Sequence, residues 1–380
     1  PRRPRGGPEI RVMSQVTIDF HPSVAIPDAA KALIGTSISL ETAWTVRQLG
    51  LALERHASHK GIGVRVCALI NPARGSAAPP HEHACTHWAG GDKVVILADV
   101  KSTPWPEPPV SDGKKRPPGS KVPVTIFTGF LGAGKTTVLN HLLLNQRDKK
   151  FAVIENEFGA VPIDNELLQN SAMDLAEQVV VMENGCMCCT VRGDLLGAFD
   201  SIRKQMEKGS PLDAVLVETT GLADPVPIVR TLRQTPDIAR YFQLDGTITL
   251  VDTKSILARL SECAEGVDDQ ERHKQISFAD RILLNKLDLV TAPEVAEVWQ
   301  RLRSYNASSA IISSVKGIVP AEQLTNLRAF DAEAIIEESE EQGHGHSGHG
   351  HSHGHGDDDC HEEHGGGHGG GHGDGHGGGD

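Results

Sequence analysis

Short apolar runs recur through the middle of the chain, and stretches with helical spacing, such as TTVLNHLLLN and LLGAFDSIRKQMEK, separate most of them. The apolar runs are VPVTIFTG, FAVIENE, QVVVMEN, DAVLVETT, GTITLVD, DRILLNK and SAIIS. Continuous apolar strands that alternate with helices predict an α/β fold, a three-layer sandwich in which helices cover both faces of a mostly parallel sheet. Ligands of such folds bind at the carboxyl ends of the strands.

Changes in composition divide the 380-residue chain into four predicted parts. Residues 1–101 contain strand-like pieces such as VTIDF, GVRVCALI and KVVILADV, but no motif that assigns them to a fold. Residues 102–120 are dense in Pro, Ser and charge, which is typical of a linker. The α/β domain is predicted over residues 121–332, and residues 333–380 form a tail.

The tail sets the charge of the whole chain. Thirteen acidic residues and no Lys or Arg lie between Asp331 and Asp380, so the net charge of −13 belongs there and the body is neutral. A neutral body gives no electrostatic argument for nucleic-acid binding. Eleven of the nineteen histidines also lie in the tail, interleaved with Gly. This composition predicts a disordered segment that binds Zn²⁺, Ni²⁺ or Co²⁺, with unselected low complexity as the alternative.

Bulk features also bear on the location of the protein. No apolar run approaches the ~20 residues that a helix needs to cross a bilayer, so we expect no membrane span. Seven cysteines without secreted-type spacing favour a reducing compartment, and hence the cytoplasm. The Arg-rich start, PRRPRGG, is compatible with the remnant of an organellar transit peptide or with a disordered basic tail.

A phosphate-binding loop follows the strand VTIFTG. The stretch GFLGAGKTT matches G-x-x-x-x-G-K-[ST] between a predicted strand and a predicted helix, where backbone N–H groups can surround phosphates. Lys135 supplies positive charge to the β- and γ-phosphates, and the Thr136 hydroxyl is a ligand for Mg²⁺. The predicted nucleotide-binding residues of this loop are Gly129, Gly132, Gly134, Lys135, Thr136 and Thr137.

The stretch Asn285-Lys286-Leu287-Asp288 follows the strand DRILL, about 150 residues after the phosphate loop. The carboxylate of Asp288 can accept both N1–H and the 2-amino group of guanine, a pair that adenine lacks. Asn285 would contact the base, and the stem of Lys286 would pack along it. This stretch predicts GTP rather than ATP, with an ordinary polar loop as the alternative for so short a pattern.

The strand AVLVE ends in Glu218, and Gly221 follows in ETTGLADP. An acidic residue at this strand end suits coordination of Mg²⁺ through water, and Gly221 suits a loop whose N–H approaches the γ-phosphate. We therefore predict that Lys135, Glu218 and Gly221 act in GTP hydrolysis. The sequence offers no assured water-positioning Gln and no obvious arginine finger, so intrinsic hydrolysis is expected to be slow.

Three cysteines, Cys186, Cys188 and Cys189, lie between the strand QVVVMEN and a helix predicted to begin near Thr190. A helix N-terminus lowers the pKa of thiols, and thiolates select ions such as Zn²⁺ and Cu⁺. A single segment with three ligands suits a metal that arrives and leaves better than a permanent structural zinc site. Buried apolar cysteines are the alternative. Because the segment ends a strand of the parallel sheet, metal and nucleotide are expected at the same sheet edge.

The motifs GFLGAGKTT, IENEFG, ENGCMCC, ETTGLADP and NKLD, in this order, resemble the CobW-type metallochaperone GTPases. These belong to the SIMIBI class of P-loop GTPases and include the zinc-regulated GTPase metalloprotein activators. The resemblance covers roughly residues 121–355. It implies a P-loop NTPase fold, the ligands GTP, Mg²⁺ and Zn²⁺, and a client apo-metalloprotein as partner; it also allows a nucleotide- or metal-dependent homodimer. By resemblance, Glu155, Glu157 and Asp164 belong to the first switch region, where a carboxylate such as that of Glu157 helps to bind metal.

Several features depart from the family pattern. Ala160 stands where a familiar form of the FG stretch has an acid, so we expect no metal ligand at that position. Residues 1–120 match nothing in the family. The small C-terminal α/β domain that commonly follows the His-rich stretch is not in this chain, and truncation is one expectation. The Cys-Pro-containing docking motif of members that serve methionine aminopeptidase is not found either, so the sequence does not indicate the client.

The leading hypothesis is a GTP-hydrolysing metallochaperone that binds zinc at the three cysteines and transfers it to a client metalloprotein. A metal-buffering or storage protein that works through its tail is the first alternative. A GTPase that inserts cobalt, nickel or iron is the second, because thiolate ligands favour zinc only modestly. The ligand-rich stretch from His81 to His87, HEHACTH, is either a further metal site or an ordinary polar loop.

Overall fold

A computed structural model describes residues 12–41, 43–105, 120–146, 149–155, 179–183, 191–208, 212–219, 225–261 and 273–329. All of them belong to one compact unit, Pro1–Asp331. The tail lies outside the described residues, so its metal binding stays a prediction. None of the helices that the structure describes has the length and apolar character needed to cross a bilayer.

The N-terminal region, to which the sequence assigns no fold, contains a mixed sheet of five strands in its described part. Its elements are β1 (Val12–Phe20), β2 (Ser37–Glu41), α1 (Val46–His59), β3 (Gly63–Asn71), β4 (Ser76–Ala77) and β5 (Lys93–Lys101). The strand order is β2-β1-β5-β3-β4, with β1 parallel to β5 and antiparallel to β2. Helix α1 begins at a capping box between Thr45 and Gln48 and buries Leu49 and Leu53. We call this region the N-terminal sheet.

The second sheet has seven strands in the described part of the chain, and all of its pairings are parallel. The strands are β6 (Val122–Gly129), β7 (Phe151–Glu155), β8 (Val179–Glu183), β9 (Ala214–Glu218), β10 (Phe242–Asp252), β11 (Arg281–Asn285) and β12 (Ala310–Ser313). Their order across the sheet is β12-β11-β10-β6-β9-β7-β8. The described helices are α2 (Lys135–Asn145), α3 (Val191–Glu207), α4 (Val226–Gln234), α5 (Pro236–Ala239), α6 (Ile256–Ser261) and α7 (Ala292–Tyr305).

Side chains alternate between the two faces of this parallel sheet. On β7, Ala152 and Ile154 belong to the core that includes residues of α3 and α4, whereas Phe151 and Val153 belong to the core that includes residues of α2. Helices therefore cover both faces, because each strand buries both of its sets of side chains. The predicted three-layer α/β sandwich with a parallel sheet is confirmed.

The N-terminal sheet and the parallel sheet share a hydrophobic core. Strand β3 lies against β12, which is the edge strand of the parallel sheet in the described part of the chain. Buried residues of β3 and β5, such as Leu69 and Ile96, belong to the same cluster as Val295 and Leu302 of α7. Of the predicted linker, only the ends are described; there the guanidinium of Arg65 lies 3.7 Å from the ring centroid of Trp105, while residues 106–119 lie outside the described residues.

Candidate functional site

The loop between β6 and α2 depends on glycine at its close approaches. Gly129 has a φ of +132°, and a side chain there would collide with the backbone of Leu250 on β10. Gly134 has a φ of +97°, and a side chain there would collide with the amide of Asn285. Both positions combine a left-handed backbone with direct contact to a neighbouring strand end, so glycine is required at each. The loop is thereby held against β10 and β11.

Lys135 is the first residue of α2 and is buried. Its ammonium Nζ lies 3.0 Å from the carbonyl oxygen of Gly129 and donates a hydrogen bond to it. The side chain therefore folds back over the loop and keeps its charge inside the loop's curve. An ammonium in this position is placed to exchange a loop carbonyl for a phosphate oxygen.

Thr136 and Glu218 meet beside the loop. The Thr136 hydroxyl donates a hydrogen bond of 2.9 Å to the Oε1 atom of Glu218, which is buried at the carboxyl end of β9. Strand β9 pairs with β6 in parallel, with Glu218 opposite Phe127, and this register brings the carboxylate to the start of α2. The two oxygen ligands are of the kind that a hard cation such as Mg²⁺ selects.

Asn285 joins three loops at the other end of the cleft. Its side chain is buried; Nδ2 donates 2.9 Å to the carbonyl oxygen of Ala133 in the phosphate loop. Its Oδ1 accepts hydrogen bonds from the Ser314 hydroxyl at 3.0 Å and from the N–H of Gly317 at 3.1 Å. The Asn285 amide thus connects the phosphate loop to the loop that follows β12. Its predicted contact with a base stays a prediction.

Lys286 and Asp288 complete this end of the cleft. Lys286 has a φ of +62°, and its Nζ lies 2.8 Å from Oδ2 of Asp252 at the end of β10. Burial raises the pKa of Asp252, but the hydrogen bond and charge of Lys286 outweigh this and hold the pKa below its usual value. Asp288 lies in a one-turn 3-10 helix, Leu287–Leu289. The ion pair fixes the backbone from which Asp288 projects.

These residues line one open cleft of about 620 Å³, within the size range of small-ligand sites. The lining residues are Leu131, Gly132, Gly134, Lys135, Thr136, Thr137, Glu218, Asn285, Lys286, Asp288, Leu289 and Lys316. The phosphate loop, the strand-end carboxylate and the Asn285–Asp288 stretch therefore come together, as parallel strands with a common carboxyl edge require. Gly129 lies at the base of the loop, at the end of β6.

Residues 123–313 match the family described as CobW/HypB/UreG, nucleotide-binding domain. The chain belongs to this family. All residues that line the cleft except Lys316 lie within the matched region, and the predicted family resemblance is confirmed.

Members of the family with similar sequences come from bacteria and yeast. The zinc chaperone YjiA of Escherichia coli (strain K12) is 36% identical over 210 residues, which are 55% of this chain and 62% of YjiA. The zinc-regulated GTPase metalloprotein activator 1 of Schizosaccharomyces pombe is 37% identical over 198 residues, 52% of this chain and 46% of that protein. The chain thus spans less than two thirds of these relatives. A crystal structure of Zn(II)-bound YjiA GTPase from E. coli is 32% identical and covers 56% of this chain and 63% of that one, with a TM-score of 0.41.

Several predicted residues of the family site lie outside the described residues. They are Glu157, Asp164, Cys186, Cys188, Cys189 and Gly221. The flanks of the cysteine segment are described: β8 ends at Glu183 and α3 begins at Val191. Glu183 lies opposite Glu155 on β7, which lies opposite Glu218 on β9. Since neighbouring strands are ~4.8 Å apart, the backbone at Glu183 lies on the order of 10 Å from that at Glu218.

The sequence-based prediction misses Leu131 and Leu289, which line the cleft, and three residues that follow β12. Ser314, Lys316 and Gly317 follow β12, and they contact Asn285 or line the cleft. Lys316 has a φ of +54°, an uncommon conformation for a residue with a side chain. The signal was present, because SVKG follows the apolar run SAIIS and so lies at the same sheet edge as the other loops.

The stretch from His81 to His87 is a polar loop of the N-terminal sheet. The His87 ring is buried, with Nε2 2.8 Å from Oε2 of Glu82 and Nδ1 3.3 Å from Nη1 of Arg74. Cys85 is exposed. Among the described residues, no group of three or more His, Cys, Asp or Glu is arranged to hold a metal ion. The ordinary polar loop is therefore the better reading of HEHACTH.

Proposed function

We propose that this chain is a GTP-hydrolysing metallochaperone, which binds zinc at Cys186, Cys188 and Cys189 and delivers it to a client metalloprotein. The observation that carries the proposal is the single cleft in which Lys135 and the Thr136–Glu218 pair face one end and Asp288 lies at the other. Such a cleft offers positive charge and backbone N–H groups to phosphates, and a carboxylate to a base. The names of the relatives, zinc chaperone and zinc-regulated GTPase metalloprotein activator, support zinc as the cargo.

For the nucleotide, we propose that Asp288 accepts hydrogen bonds from the guanine edge while Lys286 packs its stem along the base. Leu289, which is exposed at the mouth of the cleft, adds apolar area beside the base. At the other end, the Lys135 ammonium leaves the Gly129 carbonyl and donates to phosphate oxygens. Binding therefore replaces a neutral acceptor by a charged one, which makes a stronger hydrogen bond.

The Thr136 hydroxyl and the Glu218 carboxylate fit a Mg²⁺ ion. They are two oxygen donors in contact, one of them anionic and buried, beside the phosphate loop. Thr136 would hold the ion directly and Glu218 through water, with Glu157 as a further carboxylate. When bound, Mg²⁺ neutralises charge on the phosphates. Lys135 orients the γ-phosphate, and the N–H of Gly221 donates to it as negative charge develops.

For the metal, we propose that the three thiolates capture Zn²⁺ and release it when the nucleotide changes. The parallel register of β9, β7 and β8 supports this coupling, since the end of β8, which leads into the cysteine segment, lies at the same sheet edge as Glu218 and on the order of 10 Å from it. The histidines of the tail would collect metal and raise its local concentration. Thiolate ligands require a reducing environment, so we place this activity in the cytoplasm.

The test compares GTP turnover with and without buffered free Zn²⁺ in the wild type, in a triple Cys186/Cys188/Cys189→Ser variant and in Cys85→Ser. Cys85 is exposed on the N-terminal sheet, so its substitution is the matched control. We expect zinc to change turnover by several-fold in the wild type and the control, and to leave the triple variant unaffected. Equal turnover under all six conditions would remove the proposed coupling.

A further inference from the structure

Two loops form the end of the cleft at which Asp288 lies, here called the base end because the nucleobase is proposed to bind there. Each loop is attached to the N-terminal sheet through a neighbouring residue. Ser313, the residue before Ser314, donates its hydroxyl to the carbonyl oxygen of Cys67 on β3 at 2.8 Å. Ala292, the first residue of α7, donates its N–H to the carbonyl oxygen of Gly75 in the turn between β3 and β4 at 3.0 Å. One contact is next to the Ser314–Gly317 loop, and the other is four residues after Asp288.

Contiguous hydrogen bonds connect these attachment points to the phosphate loop. The N–H of Leu287 donates to the carbonyl oxygen of Ser314 at 3.2 Å, and the Ser314 hydroxyl donates to Asn285. Asn285 in turn donates to Ala133. A shift of β12 relative to β3 would therefore move Ser314, and with it the backbone that carries Asp288.

Helix α7 is held by the N-terminal sheet at its far end as well. Arg303 extends its guanidinium onto Asp99 of β5, with Nε 2.7 Å from Oδ1 and a second contact from Nη2 to Oδ2. The side chains are 14% and 17% exposed, so this is a largely buried, bidentate pair. With Ala292 bound at one end and Arg303 at the other, the N-terminal sheet fixes the axis of the helix that follows Asp288.

The base end of the cleft needs such support, because it contains strained backbone. Lys286 and Lys316 both have positive φ, at +62° and +54°. Non-glycine residues keep this conformation only where the surrounding structure enforces it. Strand β12, which leads into the second of them, has four residues and forms the edge of the described parallel sheet. The N-terminal sheet is what braces that edge.

We propose that the N-terminal sheet, residues 12–101, is a positioning element for guanine recognition, and that Ser313 is the positioning residue through which it acts. The sheet lies outside the region matched to the family, so this would be a property of this chain beyond the common nucleotide-binding domain. The inference rests on the proposed guanine-nucleotide site. Its prediction is specific: loss of the Ser313 contact weakens the hydrogen bonds that Asp288 makes to the base more than it weakens the contacts of the phosphate loop.

The experiment uses the full chain with Ser313→Ala, Ser313→Thr and Ser304→Ala. Ser304 is exposed on α7, and its hydroxyl donates to the Arg301 carbonyl in the same helix, so its substitution is the matched control. Dissociation constants are measured for GDP and for inosine diphosphate, which lacks the 2-amino group, together with the melting temperature. We expect Ser313→Ala to weaken GDP binding by about three- to tenfold, as for one hydrogen bond. We expect a smaller effect on inosine diphosphate, and recovery in Ser313→Thr, which keeps the hydroxyl.

The ratio of the two dissociation constants separates positioning from a merely structural role. General destabilisation would weaken both nucleotides equally and leave the ratio at its wild-type value, which would overturn the inference even if the melting temperature fell. A wild-type ratio and unchanged GDP affinity in Ser313→Ala would overturn it as well. If the wild type itself bound no guanine nucleotide, the proposed function would fail and this inference with it.

Discussion

Thr136 and Glu218 are 82 positions apart in the chain, yet the hydroxyl of one lies 2.9 Å from the carboxylate of the other. Parallel pairing of β6 and β9 is what brings them together, because it places the end of β9 beside the loop that leads into α2. The pair offers two oxygen ligands at the phosphate end of the cleft. Two of the side chains proposed to hold Mg²⁺ are thus in contact with each other.

Glu218→Gln is predicted to separate hydrolysis from binding. Glutamine keeps an oxygen that accepts the Thr136 hydrogen bond but removes the negative charge that we propose holds the ion. We expect GTP turnover to fall by about 10²-fold, in line with other losses of one preorganised electrostatic group. Nucleotide affinity measured in the presence of a chelator should change little. The control is Glu297→Gln on the exposed side of α7, which should match the wild type in both measurements.

Asp288→Asn is predicted to change which base is bound. The amide can no longer accept both guanine donors, so we expect GDP affinity to fall by at least about 10²-fold. An amide N–H can instead donate to a carbonyl at position 2, as xanthine has, so binding of xanthosine diphosphate should increase. Titration with both nucleotides is the measurement. A variant that kept wild-type GDP affinity would show that Asp288 does not read the base.

Cys67 and Cys85 are predicted to differ sharply in reactivity. Burial raises the pKa of the Cys67 thiol well above its usual range, and only 3% of the residue is exposed, whereas Cys85 is exposed on its 3-10 turn. In the folded protein at pH 8, iodoacetamide should label Cys85 and spare Cys67, and urea should make both accessible. Peptide mass spectrometry measures the two sites separately. Comparable rates in the absence of urea would argue against the described packing of β3.

Asp280 is predicted to make stability fall as the pH rises. Burial raises the pKa of its carboxyl from 3.8 to about 6, against a hydrogen bond from Thr247 and with a smaller contribution from Asp245. The folded chain therefore binds a proton between pH 4 and 6 that the unfolded chain does not, and stability from this group is lost as the pH rises through that window. The Asp280→Asn substitution removes this loss of stability. Its amide oxygen still accepts the hydrogen bond from the N–H of Thr247.

The gain in the free energy of unfolding from Asp280→Asn should be small at pH 4 and approach about 3 kcal/mol at pH 7. Thermal unfolding of both proteins across this range gives the difference directly, because other titrating groups are common to the two. Asp237→Asn on α5, which removes a carboxylate from an exposed position, provides the matched substitution. A constant difference between Asp280→Asn and the wild type would show that Asp280 is charged throughout.

Local pattern was enough to predict the parallel sheet and the phosphate loop. The strands of this domain are continuous apolar runs, and the spacing of the glycines in GFLGAGKTT predicts the conformation of the loop. Once the strands are known to be parallel, their shared carboxyl edge explains why Glu218 and Asp288 line one cleft. These features depend on periodicity and on residues close in sequence, which a single sequence displays.

The rest depends on contacts between distant segments. The bond from Asn285 to Ala133 spans 152 positions, and nothing near Asn285 indicates that its amide braces the phosphate loop. The N-terminal sheet carries no motif, and its attachment through Ser313 and Cys67 spans 246 positions. The sequence does not single out Ser314 and Lys316, because a short polar stretch after a strand resembles many ordinary loops. Such pairings are decided by packing of whole sheets, which local propensity does not encode.

The most direct test of the account is the zinc dissociation constant of the protein loaded with a non-hydrolysable GTP analogue and with GDP, measured by competition with a metal indicator. The tail would add sites of its own, so the triple Cys186/Cys188/Cys189→Ser variant supplies the background in each state. We predict that the cysteine-dependent site differs in affinity by at least about tenfold between the two states, equivalent to 1.4 kcal/mol of coupling. Identical constants in both states would contradict the claim that nucleotide and metal sense each other across one sheet edge.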